Sequence, residues 1–137
     1  MAHANETTIR AHIAALASGD VEGALDDYAE DAVLHYPGQN ALSGDHVGRS
    51  EIAGFLGRAM AMTNGTFRPE VHDVLANGEH AVLLVRCRAE REGRSFEWLA
   101  TDVYHVVGVK IAEHWILEGD QQTVDELFHD DRVPSES

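Results

Sequence analysis

The sequence predicts an α+β fold, on three observations. The chain reads helices first, then a meander of long strands with period-two alternation, and no internal repeat or low-complexity segment interrupts that order. The expected architecture is a strongly curved, cone-shaped antiparallel sheet wrapped around three N-terminal helices. Three helices seldom fill such a hollow completely, so an internal pocket is expected.

From Glu6 to Ser18, Ile9, Ile13 and Leu16 recur at helical spacing, with His12 at the edge of the apolar stripe and Gly19 as a left-handed stop. Asp20 suits the cap of a second helix with Val21, Ala24, Leu25 and Tyr28 on one face. Ala32 to Tyr36 is a short strand ending at Pro37 and Gly38, and a rim loop runs on through Ser43, Gly44 and Gly48. A third helix opens at Ser50 and Glu51, presents Ile52, Phe55, Leu56, Ala59 and Met60, and ends at Asn64 and Gly65. The period then changes to two. Phe67, Val71 and Leu75 alternate with polar neighbours, and Asn77-Gly78 is a strong hairpin signal before a strand from Ala81 to Ala89. After a turn near Glu92 and Gly93, Phe96, Trp98, Ala100, Asp102, Tyr104 and Val106 fall on one face. Gly108 turns the chain into a last strand, Lys110 to Glu118. A Thr123/Glu126 capping box then opens a short helix with Val124, Leu127 and Phe128. This organisation reads as one domain over residues 1–130 with a frayed tail at 131–137.

Of the 137 residues, ten are Lys or Arg and 24 are Asp or Glu, a formal charge of −14 that disfavours nucleic acid and anionic substrates. With 44% hydrophobic residues a real core can form. The single Cys87 excludes an intramolecular disulfide and a multi-cysteine metal cage, and suits a reducing cytoplasm. No signal-peptide block and no apolar run near the roughly 18 residues of a membrane span is present. The nine histidines show no His-x-His or His-Glu-x-x-His spacing, so no metal site is expected. Phosphate-binding glycine loops and a Gly-x-Ser-x-Gly elbow are absent as well, so no nucleotide cofactor and no serine hydrolysis are expected.

The Ser18-Gly19-Asp20 turn, Tyr28-Ala29-Glu30-Asp31-Ala32, Gly44 to Gly48 and Lys110-Ile111-Ala112-Glu113-His114-Trp115 together resemble the nuclear transport factor 2-like superfamily. The similarity is greatest to its SnoaL-like polyketide cyclase and ketosteroid isomerase-like branch, and it spans nearly the whole chain. The resemblance implies that Asp102 takes the place of the protonated acid that hydrogen-bonds a developing enolate oxygen. His12 falls where that acid's tyrosine partner would be, and Tyr28 where a supporting tyrosine would be. Tyr36, preceded by His35, replaces the proton-moving carboxylate of the isomerases. Asp120 is a candidate for the late aspartate of the cyclases.

Asp102 on an apolar concave face is expected to have a raised pKa, as in the ketosteroid isomerase that exemplifies this tuning; a buried structural acid is the plainer reading. His12 fits a donor to substrate oxygen or a satisfied core histidine equally. His35 opens inward or outward according to register. Asp120 also fits a helix cap. Tyr28, Tyr36, Trp98, Tyr104 and His114 are pocket-wall candidates that serve as well in a core. Cys87 reads as a small buried hydrophobe. The leading expectation is a cofactor-free enzyme acting on a small apolar carbonyl compound by proton abstraction beside the carbonyl. Asp102 and His12 would stabilise the enol, and His35 or Asp120 would move the proton. Isomerisation, cyclisation and dehydration share that step. The alternatives are a non-catalytic ligand-binding or assembly module and an epoxide hydrolase-like enzyme. The latter is disfavoured by Ala100 where an arginine is needed, leaving Arg49 or Arg86 as substitutes. The resemblance also implies a homodimer, since relatives of this fold commonly pair through the outer sheet face, where this sequence offers Val103, His105, Trp115 and Leu117.

Overall fold

The structure is a computed structural model that describes residues 3–130, so the expected tail at 131–137 lies outside the described residues. Helices α1 (Ala4–Ala17) and α2 (Val21–Asp26) lead into strand β1 (Tyr28–Tyr36) and a short β2 (Gly44–Val47). Helix α3 (Gly48–Met62) follows, then strands β3 (Arg68–Ala76), β4 (His80–Arg91), β5 (Arg94–Val107) and β6 (Lys110–Glu118), and helix α4 (Gln121–Leu127). The six strands form one sheet in the order β2-β1-β6-β5-β4-β3. Its pairings are antiparallel except β1 with β6, which run parallel, so the sheet is mixed. Helix α1 rests on β3 and β4, α3 rests on β1 and β2, and α2 touches both helices. Neighbouring helices thus cover both ends of one sheet, which bends around them. Among the described residues no helix is long and apolar enough to cross a membrane.

Local chemistry explains most boundaries. The His3 side chain accepts a hydrogen bond from the Asn5 N–H and caps α1, and Gly19, at φ +82°, ends it in the left-handed region. Asp20 caps α2 through the Gly23 N–H at 2.9 Å. The Asn77-Gly78 hairpin forms, but Asn77 holds it: its Oδ1 accepts from the N–H groups of Glu79 and His80, both at 2.9 Å. Glu92-Gly93 and Gly108-Val109 turn with positive φ at both positions, the geometry that matches strand twist in two-residue hairpins.

Four expectations are corrected. Tyr28 is the first residue of β1 and not part of the second helix, because α2 stops at Asp26 and the chain straightens to pair with β6. The rim loop contains β2, which pairs with β1. In β3 a bulge between Val71 and Asp73 reverses the alternation, so Val74 is buried and Leu75 is 53% exposed. At the C-terminal helix the cap is Asp120 and not Thr123: its carboxylate accepts from the Thr123 N–H at 3.2 Å.

Candidate active site

The alternation of β5 is as the sequence predicts: Phe96, Trp98, Ala100, Asp102, Tyr104 and Val106 are all buried. This face, with the inward sides of β4 and β6 and of helices α1 and α3, encloses a cavity of about 90 Å³. A single water needs roughly 10–15 Å³, so the space suits a small organic molecule. Its wall is mostly apolar, including Ile13, Leu34, Phe55, Leu56, Phe67 and Val85. The polar side chains that line it are Tyr28, Tyr36, Cys87, Trp98, Asp102, His114 and Glu118.

Asp102 anchors a buried network. Its Oδ2 lies 2.9 Å from His114 Nε2 and accepts the Tyr104 O–H at 3.3 Å, while His114 Nδ1 lies 2.8 Å from the Tyr28 hydroxyl. The His114 ring stacks on Tyr104 at a centroid distance of 4.1 Å and lies near-parallel to the Tyr28 ring, 6.0 Å away. Burial lowers the His114 pKa and outweighs the hydrogen bond and charge of Asp102, so the ring is neutral at pH 7. A neutral ring has one N–H. Assigned to Nε2 it donates to Asp102, and Nδ1 accepts the Tyr28 O–H. Burial first and the Asp102 charge second raise both tyrosines above the ordinary phenol range, which keeps them as donors. The hydrogen bonds to Asp102 fall on Oδ2, and Oδ1 takes none from the described residues, while the residue itself lines the cavity.

A second acid shares the cavity and was not among the sequence candidates for chemistry. Glu118 pairs across the sheet with Ala100, so Trp98 and Asp102 are its two diagonal neighbours on the pocket face. Burial, and next the charge of Asp102, raise its pKa to about 8, against the opposing effect of the Trp98 indole N–H, which is directed toward the carboxyl. Neither Trp98 Nε1 nor Glu118 Oε2 closes a hydrogen bond of its own, although both atoms are buried. The available signal was the alternation that puts His114, Ile116 and Glu118 on one face of β6.

Other candidates lie elsewhere. His12 is fully buried and not at the margin of its helix: Nδ1 meets Asp27 Oδ2 at 3.0 Å, and the ring packs edge-on to Tyr28 and Tyr104, behind the cavity wall. Tyr104 likewise backs the wall without lining the cavity. His35 faces outward, between Asp45 (2.7 Å) and Glu113 (2.5 Å) and stacked on Trp115, because its parity on β1 is opposite to that of Leu34 and Tyr36. Asp120 is an exposed helix cap, its pKa lowered by the side-chain and then the backbone hydrogen bond of Thr123. Neither reaches the cavity. Arg49 donates to the Tyr28 and Asp26 carbonyls and Arg86 pairs with Glu97, so neither arginine supplies the group that epoxide opening needs. Cys87 lines the cavity with a thiol that burial pushes up, hence an unreactive one. Among the described residues no cluster of three His, Cys, Asp or Glu is set to hold a metal.

Residues 9–114 match the SnoaL-like domain family. Bal32a, from a soil-derived mobile gene cassette, is 28% identical with a TM-score of 0.86, the match covering 91% of this chain and 96% of that one. TerC, crystallised with polyporic acid, is 20% identical with a TM-score of 0.80, over 90% and 97% of the two chains. IdmH, a proposed polyketide cyclase from Streptomyces antibioticus, is 24% identical with a TM-score of 0.73, over 91% and 99%. The likeness to the last two speaks for the fold alone. No curated protein matches in sequence.

Proposed function

The chain belongs to the SnoaL-like domain family, and from that premise we propose that it is an enzyme that moves a proton beside the carbonyl of a small apolar compound. Isomerisation, cyclisation and dehydration all begin with that step. The observation that carries the reading is the Asp102 carboxylate at the edge of an apolar cavity, with Oδ2 held by His114 and Tyr104 and Oδ1 taking no hydrogen bond from the described residues. In this reading Oδ1 takes the proton from carbon as the C–H pair moves into the new C=C bond and the carbonyl π pair moves onto oxygen. His114 and Tyr104 act as positioning residues that fix the carboxylate, and the apolar wall excludes water and selects uncharged ligands. This reverses the role that the resemblance implies for Asp102, and assigns proton movement to it in place of His35 or Asp120.

The step as drawn needs no cofactor. The reading also includes a homodimer through the outer face and a place in the cytoplasm, supported by the exposure of Leu99 and Leu117 and by the lone buried Cys87.

The test is deuterium uptake beside the carbonyl, by mass spectrometry, for cyclic enones and polyketide-like esters in heavy water. Uptake that requires the protein and falls by about 10²-fold or more in Asp102→Asn is expected, the scale on which a general base contributes. Ligands that raise the melting temperature without any uptake would replace this reading with a binding module.

A further inference from the structure

Two buried polar atoms in the cavity close no hydrogen bond, and they are neighbours. Trp98 is 5% exposed and its indole nitrogen can only donate; the Glu118 carboxyl is the acceptor within its reach, but the two do not close a full hydrogen bond. Glu118 Oε2 is buried without a partner one diagonal step away across the β5–β6 pair. Diagonal neighbours on one sheet face stand about 7–8 Å apart at Cα, within reach of long and aromatic side chains. Ala100, opposite Glu118, has only a methyl to place between them. A buried donor left unsatisfied costs roughly 1–3 kcal/mol, and native proteins leave few of them without a reason.

We propose that Trp98 Nε1–H and the Glu118 carboxyl together receive the carbonyl oxygen of the ligand, a neutral ketone, enone or enol, while Asp102 faces the adjacent carbon. The cavity thus has two polar poles on one strand face, Trp98 and Asp102, with Glu118 between them. Near neutral pH Glu118 is mostly protonated, so both poles of the oxygen site are donors; a carboxylate-bearing ligand would instead meet Asp102 in a dry site. If the carbon acid is deprotonated, the balance closes inside the site: the C–H pair becomes the C=C bond, the carbonyl π pair moves onto oxygen, and oxygen takes the Glu118 proton. Asp102 ends neutral and Glu118 ends as the carboxylate. The assignment takes its ligand class from the proton-transfer reading, but the oxygen site is a binding claim and stands or falls by itself.

The probe is acetophenone, labelled with ¹³C at the carbonyl, bound to the full chain in heavy water. Infrared spectroscopy reads the C=O stretch, and the same sample is analysed for deuterium in the methyl group. A bound C=O band at lower frequency than in hexane is expected. Trp98→Phe and Glu118→Leu should each return part of that shift and weaken binding roughly three- to tenfold, the worth of one neutral hydrogen bond. Asp102→Asn should keep the shift and lose deuterium uptake. Should one variant fail to fold, the other decides. A shift kept in both Trp98→Phe and Glu118→Leu but abolished in Asp102→Asn overturns the assignment, as does no bound band at millimolar ketone. A shift without uptake in the wild type supports the oxygen site and refutes the enzymatic reading.

Discussion

His114 Nε2 lies 2.9 Å from Asp102 Oδ2, joining β6 to β5 inside the core with both residues nearly inaccessible to solvent. The carboxylate is thereby fixed on one side, through Oδ2 alone. His114→Phe leaves a buried acid and the Tyr28 hydroxyl without a shared partner. The expected loss is about 2–4 kcal/mol in urea unfolding, since a charged acceptor loses its donor. Tyr104→Phe removes one 3.3 Å bond and should cost less than about 1.5 kcal/mol. Equal losses in the two would deny His114 this central position.

Glu118 makes stability fall as pH rises. Its folded pKa, about 8, lies above the ordinary glutamate value of about 4.3, so between the two the folded state binds more protons than the unfolded. Its contribution is fully present below pH 4 and lost as pH climbs through 8, with a limiting slope of about 1.4 kcal/mol per pH unit. Glu118→Gln should therefore gain in melting temperature relative to wild type between pH 5 and pH 8.5. A constant difference across that range would contradict a buried, protonated Glu118.

His35 acts with the same sign for a different reason. Burial pulls its pKa down, but the hydrogen bonds and charges of Glu113 and Asp45 outweigh that and raise it above its ordinary 6.5. Its stabilisation is complete below the ordinary value and lost as pH rises through the folded one. Because the site is on the outer face, His35→Gln should flatten the pH dependence of stability above pH 6.5 in low salt, and much less in 1 M salt. NMR titration of the imidazole provides the direct check.

Val109 is a β-branched residue at φ +63°, and its side chain is 62% exposed. Its left-handed backbone is strained without compensating burial. Val109→Asn should stabilise the protein by about 1 kcal/mol, measured by thermal unfolding. An unchanged or lower midpoint would mean that the turn carries no such strain.

Leu99 and Leu117 are 59% and 54% exposed on the face opposite the cavity, near the half-buried Val103 and Trp115. If this face pairs two copies, light scattering at micromolar concentration should give the mass of a dimer, and Leu117→Glu should give a monomer. A wild-type monomer under these conditions rejects the pairing.

The features legible in the chain alone are periodic or local. Alternation placed Trp98, Asp102 and Tyr104 on one buried face, the helix of Ile9 and Ile13 ended at Gly19, and the β4–β5 and β5–β6 turns fell at Glu92-Gly93 and Gly108. Those features depend on side-chain period and on single-residue backbone preferences. Tertiary structure decided everything that depends on which strands become neighbours. Tyr28 belongs to a strand because β1 pairs in parallel with β6, which is distant in sequence. The same pairing turns His35 outward onto Trp115 and brings Tyr28 to His114. Asp120, by contrast, was decided locally in favour of its capping role. Glu118 sits beside Trp98 and Asp102 only through the β5–β6 register, and its burial comes from elements across the cavity. Alternation fixes which residues of one strand share a face, but not which face is concave or what stands opposite, since those follow from pairings that the whole chain must close together.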